Sequence, residues 1–224
     1  MKKTLKKKVA VGIFAHPDDE AFGPSGTIHK LAKEYDFYLL TATKGEIGKS
    51  SVKGEKPLHE IRADELRESA KILGVKKVFF LGFKDGTLSN SLYHKLAAKI
   101  EKILDDLKPE LIITSNPNGG SGHIDHITVS MVSSFVFHRK PFIKKIMYSA
   151  ITEEARARMG DEYFIYRPPG YKLSEIDEII DVADVWETKL KAMQAHKSQK
   201  HDYENIIKSR EGLPKKEYFQ VKKK

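Results

Sequence analysis

The sequence contains no cysteine among its 224 residues. Disulfide bonds and thiolate metal sites are therefore excluded, and any tightly held metal must use histidine, aspartate or glutamate side chains. The absence of cysteine is compatible with a reducing compartment, and we take the cytoplasm as the expected location.

Long apolar runs are also missing, since no stretch approaches the roughly 18 residues that a transmembrane helix needs. The basic start and the apolar segment 9–15 imitate a signal peptide. However, Ile13 stands where cleavage requires a small residue, and an acidic cluster follows at once. We therefore expect residues 9–15 to form a buried first strand, and we expect no membrane insertion.

The net charge of +9 at pH 7 is carried by the two ends of the chain. Residues 1–8 contribute +5 and residues 213–224 contribute +4, so that residues 9–212 are neutral overall. Blocks of like charge at termini are typically solvated and poorly ordered. The sequence therefore predicts Lys-rich tails rather than a basic folded face, and nucleic acid is not an expected partner.

Segments with strand and helix periodicity alternate along the chain, without a linker or an internal repeat. Strands are predicted at 9–15, 37–43, 78–81, 111–114, 143–148 and 176–182. Helices are predicted at 27–35, 57–73, 92–107 and 127–137, and from a cap at Asp184 to about residue 196. The alternation predicts one α/β domain over residues 1–224, a Rossmann-like three-layer sandwich with a mostly parallel central sheet. Ligands of such sheets bind beyond the carboxyl ends of the strands.

Two loops at that predicted edge concentrate histidine and acidic residues. "AHPDDE" follows the first strand and "GHIDH" follows the fourth; together they supply His16, Asp18, Asp19, Glu20, His123, Asp125 and His126. Separate helix N-caps would explain one acid per helix, but not two histidines that flank an aspartate. Two histidines and one carboxylate are a sufficient protein ligand set for a catalytic zinc ion, with one position left open for water.

The loops hold more groups than a zinc ion needs. A hydrolytic site also requires a carboxylate that takes a proton from water and a donor for the oxyanion and the leaving group. If one member of each pair, Asp18 with Asp19 and His123 with His126, binds metal, the other is left for proton transfer. Asp125 can hold an imidazole in one tautomer. The spacing alone leaves open which member does which.

The two motifs together resemble those of the LmbE-like, or PIG-L, family of zinc-dependent N-deacetylases. The resemblance extends over nearly the whole chain, through "TKGEIG" at 43–48, "RADELRESAKILGV" at 62–75, "LGFKDG" at 81–86 and "KLKAMQAHKSQ" at 189–199. Two departures are Ile124, where a proline is common, and Ser121, where some members carry a tyrosine thought to assist the oxyanion.

The resemblance implies a role for each candidate residue. His16, Asp19 and His126 would bind one zinc ion, Asp18 would be the general base, and His123, oriented by Asp125, would be the general acid. Arg62 and Asp85 match positions that contact sugar hydroxyls, although a surface ion on a helix and a turn former explain them equally well. Glu46 and His196 lie in family-like motifs without an assigned role, and Glu20 reads as a first-turn carboxylate favoured by the helix dipole.

These observations predict a metal-dependent hydrolase that removes the acetyl group from an N-acetylglucosamine-type amino sugar or conjugate. The expected partner is this small-molecule substrate, and a homo-oligomer is compatible with the sequence. One alternative is a metal-dependent phosphoesterase, although such sites use mainly oxygen ligands. Another is a non-catalytic nucleotide or nucleic-acid binding module, but the first loop lacks a G-x-G-x-x-G or Walker pattern.

Overall fold

The computed structural model of the chain describes residues 7–52, 56–160 and 166–224. Within them, seven strands form one sheet: β1 (Lys8–Phe14), β2 (Tyr35–Thr41), β3 (Lys77–Phe80), β4 (Leu111–Ser115), β5 (Lys145–Ala150), β6 (Glu178–Asp181) and β7 (Lys216–Lys223). The helices are α1 (Asp19–Phe22), α2 (Ser25–Glu34), α3 (Leu58–Leu73), α4 (Tyr93–Leu107), α5 (Gly119–Gly122), α6 (Ile124–Arg139), α7 (Glu153–Ala157), α8 (Trp186–Ala195) and α9 (Lys200–Ser209).

The strand order is β3-β2-β1-β4-β5-β7-β6. The first five strands are parallel, and β7 runs antiparallel to both of its neighbours. Because successive side chains of a strand point to opposite faces, β1 contributes to two cores. Val11 and Ile13 pack with buried residues of α4 and α6, whereas Ala10 and Phe14 pack with α2, α3 and α8. The predicted three-layer α/β sandwich with a mostly parallel sheet is confirmed.

Several predicted boundaries move in the structure. The helix predicted at 127–137 begins at Ile124, so that His126 lies in its first turn. Asp184 does not cap a helix, because it lies inside a 3₁₀ turn at Ala183–Val185 and α8 begins at Trp186. Among the described residues, none of the helices combines the length and the hydropathy that crossing a bilayer requires.

The C-terminal Lys-rich segment is a strand, and the expectation of a poorly ordered tail is wrong for residues 216–223. In this segment Glu217 and Phe219 are buried, and Phe219 belongs to the core that faces α2, α3 and α8. Three of the five lysines of residues 213–224, at 222–224, are exposed at the end of the strand, whereas Lys216 at its start is half-buried. At the other end of the chain, residues 1–6 of the predicted N-terminal tail lie outside the described part, and Lys8 begins β1.

Glu217 connects the C-terminal strand to the start of α2. Its carboxylate accepts hydrogen bonds from the backbone N–H groups of Gly26 and Thr27, at 2.9 and 2.8 Å, and from Lys189 Nζ at 2.8 Å. Burial opposes the charge of Glu217, but the Lys189 ammonium and these hydrogen bonds outweigh it and lower the pKa of the carboxyl. A carboxylate from the far end of the chain therefore caps a helix N-terminus, where negative charge is favourable.

We expect Phe219→Ala to lower the free energy of unfolding by about 3–5 kcal/mol, because it removes a fully buried aromatic ring from the core. Denaturant titration of both proteins measures the difference. The matched control is Lys222→Ala in the same strand, whose side chain is exposed and whose effect should stay within about 0.5 kcal/mol. Equal stabilities of the Phe219→Ala variant and the wild type would contradict the packing of β7.

Candidate metal and catalytic site

The two histidine- and acid-rich loops meet because β1 and β4 are neighbouring parallel strands. Ile13 pairs with Thr114 at the carboxyl ends of these strands, and Thr114 Oγ1 donates a hydrogen bond to the carbonyl oxygen of Ile13 at 2.7 Å. The chain leaves β1 through His16 into α1, and it leaves β4 through α5 into α6. All six motif side chains that the sequence assigns to the metal or the chemistry therefore lie at one edge of the sheet.

Three ligand atoms converge between the loops. His16 Nδ1 lies 3.1 Å from His126 Nε2, and His126 Nε2 lies 3.2 Å from Asp19 Oδ1. Zinc–nitrogen bonds of about 2.0–2.1 Å in tetrahedral geometry place neighbouring ligand atoms about 3.3 Å apart. Both separations suit neighbouring donors of one ion, and His16 Nδ1 also lies 3.9 Å from Asp19 Oδ2. Two further groups place one ligand atom of each residue within 4.8 Å of the others: His16 with His123 and His126, and His16 with Asp85 and Asp125.

In each of His16, Asp19 and His126, the second polar atom of the side chain, the one that does not face the other two residues, is hydrogen-bonded within the protein. His16 Nε2 lies 2.9 Å from Asp85 Oδ1, and His126 Nδ1 lies 3.0 Å from the carbonyl oxygen of Gly119. Asp19 Oδ2 accepts the backbone N–H groups of residues 15 and 16, each at 3.0 Å, which leaves Oδ1 for other partners. Such outer contacts choose the tautomer and aim the remaining nitrogen at a metal.

The electrostatics of this cluster favour positive charge. Burial opposes protonation of His16, but hydrogen bonds to Asp125 and Asp85 and the charge of Asp19 outweigh it and raise the pKa of His16 to about 10. Burial also opposes the charge of Asp19, yet the charge and the hydrogen bond of His126 lower its pKa. A divalent cation would supply the positive charge that these buried carboxylates favour.

Asp18 lies beside this cluster in an unusual backbone conformation. It is 8% exposed, and its φ of 108° is in the left-handed region that most side chains avoid. Its Oδ2 accepts a hydrogen bond from Arg62 Nη2 at 2.9 Å. Burial raises the pKa of Asp18 to about 6, with the Arg62 charge opposing and the Asp19 charge adding to the shift. The carboxyl is therefore able to exchange a proton near neutral pH.

Arg62 is buried, so the alternative of a surface ion on a helix is wrong. It is 4% exposed and also donates to the carbonyl oxygens of Pro17, at 2.7 Å, and Gly45, at 2.8 Å. Gly45 has a φ of 65°, and a Cβ atom there would collide with the guanidinium. Gly45 of "TKGEIG" is thus required because a side chain there would occupy the space of the Arg62 guanidinium, which bonds Asp18.

The carboxylates of Asp85 and Asp125 are bonded to backbone N–H groups and to His16. Asp85 Oδ2 accepts the backbone N–H of Ile47 at 3.2 Å, and its other oxygen faces His16. Asp125 accepts the N–H groups of Gly86 and Leu88, at 2.8 and 3.1 Å, and lies 3.3 Å from His16 Nε2. Both acids therefore support His16. The sequence suggested that Asp125 holds an imidazole, with His123 implied by the resemblance, whereas its carboxylate contacts His16 and its backbone N–H bonds His123.

His123 is the N-cap of α6, and its ring stacks on that of His126. Its Nδ1 accepts the backbone N–H of Asp125 at 3.1 Å. Burial and the charges of His126 and His16 lower the pKa of His123 to about 4. The ring is therefore neutral near pH 7, and the accepting role of Nδ1 assigns the hydrogen to Nε2, which can donate it.

Glu20, Ser69 and His196 are buried next to Asp18, and sequence reasoning missed this connection. Glu20 does lie in the first turn of α1, but it is 1% exposed and bonded to side chains of α3 and of the segment that ends α8. The only sequence signals were the third acid of "AHPDDE" and the histidine of "QAHKSQ".

Comparison with known proteins identifies relatives that match most of the chain. The family model described as PIG-L, GlcNAc-PI de-N-acetylase, matches residues 11–136. A Bacillus cereus protein named "Probable N-acetyl-alpha-D-glucosaminyl L-malate deacetylase 2" is 31% identical over 197 residues, covering 84% of this chain and 81% of that protein. A 1D-myo-inositol 2-acetamido-2-deoxy-alpha-D-glucopyranoside deacetylase of a Mycobacterium species is 29% identical over 228 residues, covering 84% and 72%.

A solved structure supports the same fold. N,N'-diacetylchitobiose deacetylase from Pyrococcus horikoshii superposes with a TM-score of 0.75 over 96% of this chain and 84% of that chain, at 23% identity. The family match spans more than half of the sequence and includes both loops of the site. The chain therefore belongs to the PIG-L family.

Proposed function

We propose that the protein hydrolyses the acetamide of an N-acetylglucosamine-type amino sugar, free or in a conjugate, and releases the free amine and acetate. The observation that carries the proposal is the convergence of His16 Nδ1, Asp19 Oδ1 and His126 Nε2, with separations of 3.1 and 3.2 Å. Membership of the PIG-L family supports it, since the matched relatives are named as deacetylases of N-acetylated amino sugars.

Zinc is the metal that this donor set favours. Two imidazole nitrogens and one carboxylate oxygen are typical of catalytic zinc sites, whereas magnesium takes mainly oxygen ligands. The chain has no cysteine that could compete for the ion. When bound, zinc supplies a Lewis acid that acidifies water and polarises an amide carbonyl.

The remaining roles, those of proton acceptor and proton donor, belong to residues beside the three proposed ligands. Asp18, oriented by Arg62, would accept the proton of the attacking water. His123 would offer the hydrogen on Nε2 to the carbonyl oxygen as charge develops there, and then to the departing nitrogen. We assign Arg62 and Asp85 supporting roles because both Nη atoms of Arg62 and both carboxylate oxygens of Asp85 are bonded to the chain, and their contact with sugar hydroxyls stays a prediction.

The first test of this function is a substrate panel. We expect the zinc-loaded protein to release free amine and acetate from at least one N-acetylglucosamine derivative among monosaccharide, disaccharide and glycoside conjugates. Amine labelling and acetate quantification measure the reaction. Phosphate esters of the same sugars complete the panel, and release of phosphate without any amine would contradict the proposal in favour of a phosphoesterase.

Asp18→Asn should lower kcat by about 10²–10⁴-fold, because the amide cannot accept the proton. Asparagine tolerates a positive φ, so the loop and the bound zinc should be kept. Steady-state kinetics and elemental analysis of the same sample measure both quantities. Wild-type turnover, or loss of zinc from this variant, would contradict the assignment of Asp18 as the base.

His126→Ala should remove most of the bound metal, because it deletes the ligand that contacts both other donors. Elemental analysis after dialysis against zinc at low concentration measures the stoichiometry. The control is His94→Ala, an exposed histidine of α4, which should keep the wild-type metal content. Full zinc occupancy in the His126→Ala variant would show that His126 is not a ligand.

A further inference from the structure

The conformation of Asp18 must be maintained against a steric penalty. A non-glycine residue held at a φ of 108° is strained, and such strain persists only where the surroundings impose it. Arg62 holds the side chain of Asp18 but makes no contact with its backbone N–H. That N–H group is held instead by Glu20 Oε2, at 3.0 Å.

Glu20 is itself held from two other elements. Its Oε1 accepts a hydrogen bond from Ser69 Oγ of α3 at 2.6 Å and one from His196 Nε2, just past the end of α8, at 2.8 Å. Glu20 is 1% exposed, and Ser69 and His196 are fully buried. All three donors to this carboxylate are therefore aimed by the fold, and water does not compete for them.

We propose that Glu20, anchored by His196 and Ser69, is a positioning residue that sets the backbone of Asp18 and thereby aims its carboxylate at the reacting water. The inference rests on the proposed function for its catalytic consequence. Its structural half, the hold of Glu20 on the Asp18 backbone, is independent of the reaction.

The metal ligands are held by a separate set of bonds. Asp19 is fixed by the N–H groups of Ala15 and His16, and His16 is fixed by Asp85 and Asp125. Among the described residues, no hydrogen bond joins Glu20 to any of the three ligands. Loss of the Glu20 carboxylate should therefore misplace the base while the metal stays bound.

Glutamine can replace glutamate in this network. Its amide oxygen can accept the N–H of Asp18, while its amino group faces Ser69 and His196. The serine hydroxyl can rotate to accept a hydrogen bond, and a neutral His196 with its hydrogen on Nδ1 can accept one at Nε2, at the cost of a buried Nδ1–H that has no acceptor among the described residues. If Glu20 is a positioning residue, Glu20→Gln should retain the hydrogen bond to the Asp18 N–H and the activity, and Glu20→Ala should lose both.

The experiment compares Glu20→Ala and Glu20→Gln with the wild type in the zinc-loaded full chain. We expect Glu20→Ala to lower kcat by roughly 10–100-fold with KM and zinc content nearly unchanged, because misplacing a catalytic group by about 1 Å costs a factor of that order. Glu20→Gln should stay within about threefold of the wild-type kcat. The control is Glu68→Ala, which removes an exposed carboxylate of α3 beside Ser69 and should leave kcat unchanged.

A double-mutant cycle separates positioning from a general structural effect. In the Asp18→Asn background, Glu20→Ala should cause little further loss of the residual activity, because both changes act through the same carboxylate. Fully additive losses, loss of zinc from Glu20→Ala, or wild-type kcat in that variant would each overturn the inference.

A measurement that does not depend on activity tests whether Glu20 holds the backbone of Asp18. Hydrogen exchange at the Asp18 amide, followed by NMR, should be at least about tenfold faster in Glu20→Ala and nearly unchanged in Glu20→Gln, since the hydrogen bond that the Asp18 N–H donates to residue 20 is lost only in the former. Equal exchange in all three proteins would overturn the inference. If the wild type hydrolyses no substrate of the panel, the proposed function fails, and the exchange rates still decide whether Glu20 holds Asp18.

Discussion

The parallel pairing of β1 with β4 is the constraint on which the site depends. The two strands are a hundred residues apart in the chain, and their register places Ile13 beside Thr114 where both strands end. Each strand then delivers a loop and a helix start at the same edge. Asp19 and His126 reach each other only through this pairing, and a shift in the register would separate them by the rise of each residue moved, about 3.3 Å.

The buried carboxylates of this edge are paired with basic side chains. Asp19 and Glu20 lie against the imidazoles of His126 and His196, and two pairs are ionic, Asp18 with Arg62 and Glu217 with Lys189. Removing one member of such a pair leaves an uncompensated buried charge, which is strongly destabilising. The site therefore combines a high density of charge with fixed side-chain positions, and fixed dipoles and charges are what a hydrolytic site needs when charge develops on an amide.

The C-terminal strand supports this edge from behind. Glu217 caps the N-terminus of α2, while Lys189 of α8 donates to the carbonyl oxygen of Gly23, the residue that ends α1. The short helix that begins with Asp19 is thus fixed at its end by α8 and β7. The Lys-rich strand β7, which the sequence predicted to be a solvated tail, therefore helps to hold the region around "AHPDDE" in place.

The sequence by itself determined the fold class and the set of chemical side chains, because strand–helix alternation predicts a parallel sheet and the two motifs stand where its strands end. The sequence also identified Arg62, Asp85 and Asp125 as candidate residues, but it did not determine which groups they contact in the fold. Only the tertiary structure decided which histidine nitrogens converge, how Asp18 is held, and that residues 216–223 complete the sheet. These features depend on contacts such as Glu20 with His196 and Gly26 with Glu217, which join residues 176 and 191 positions apart. Local periodicity and charge carry no information about such distant pairs, since packing alone brings them together.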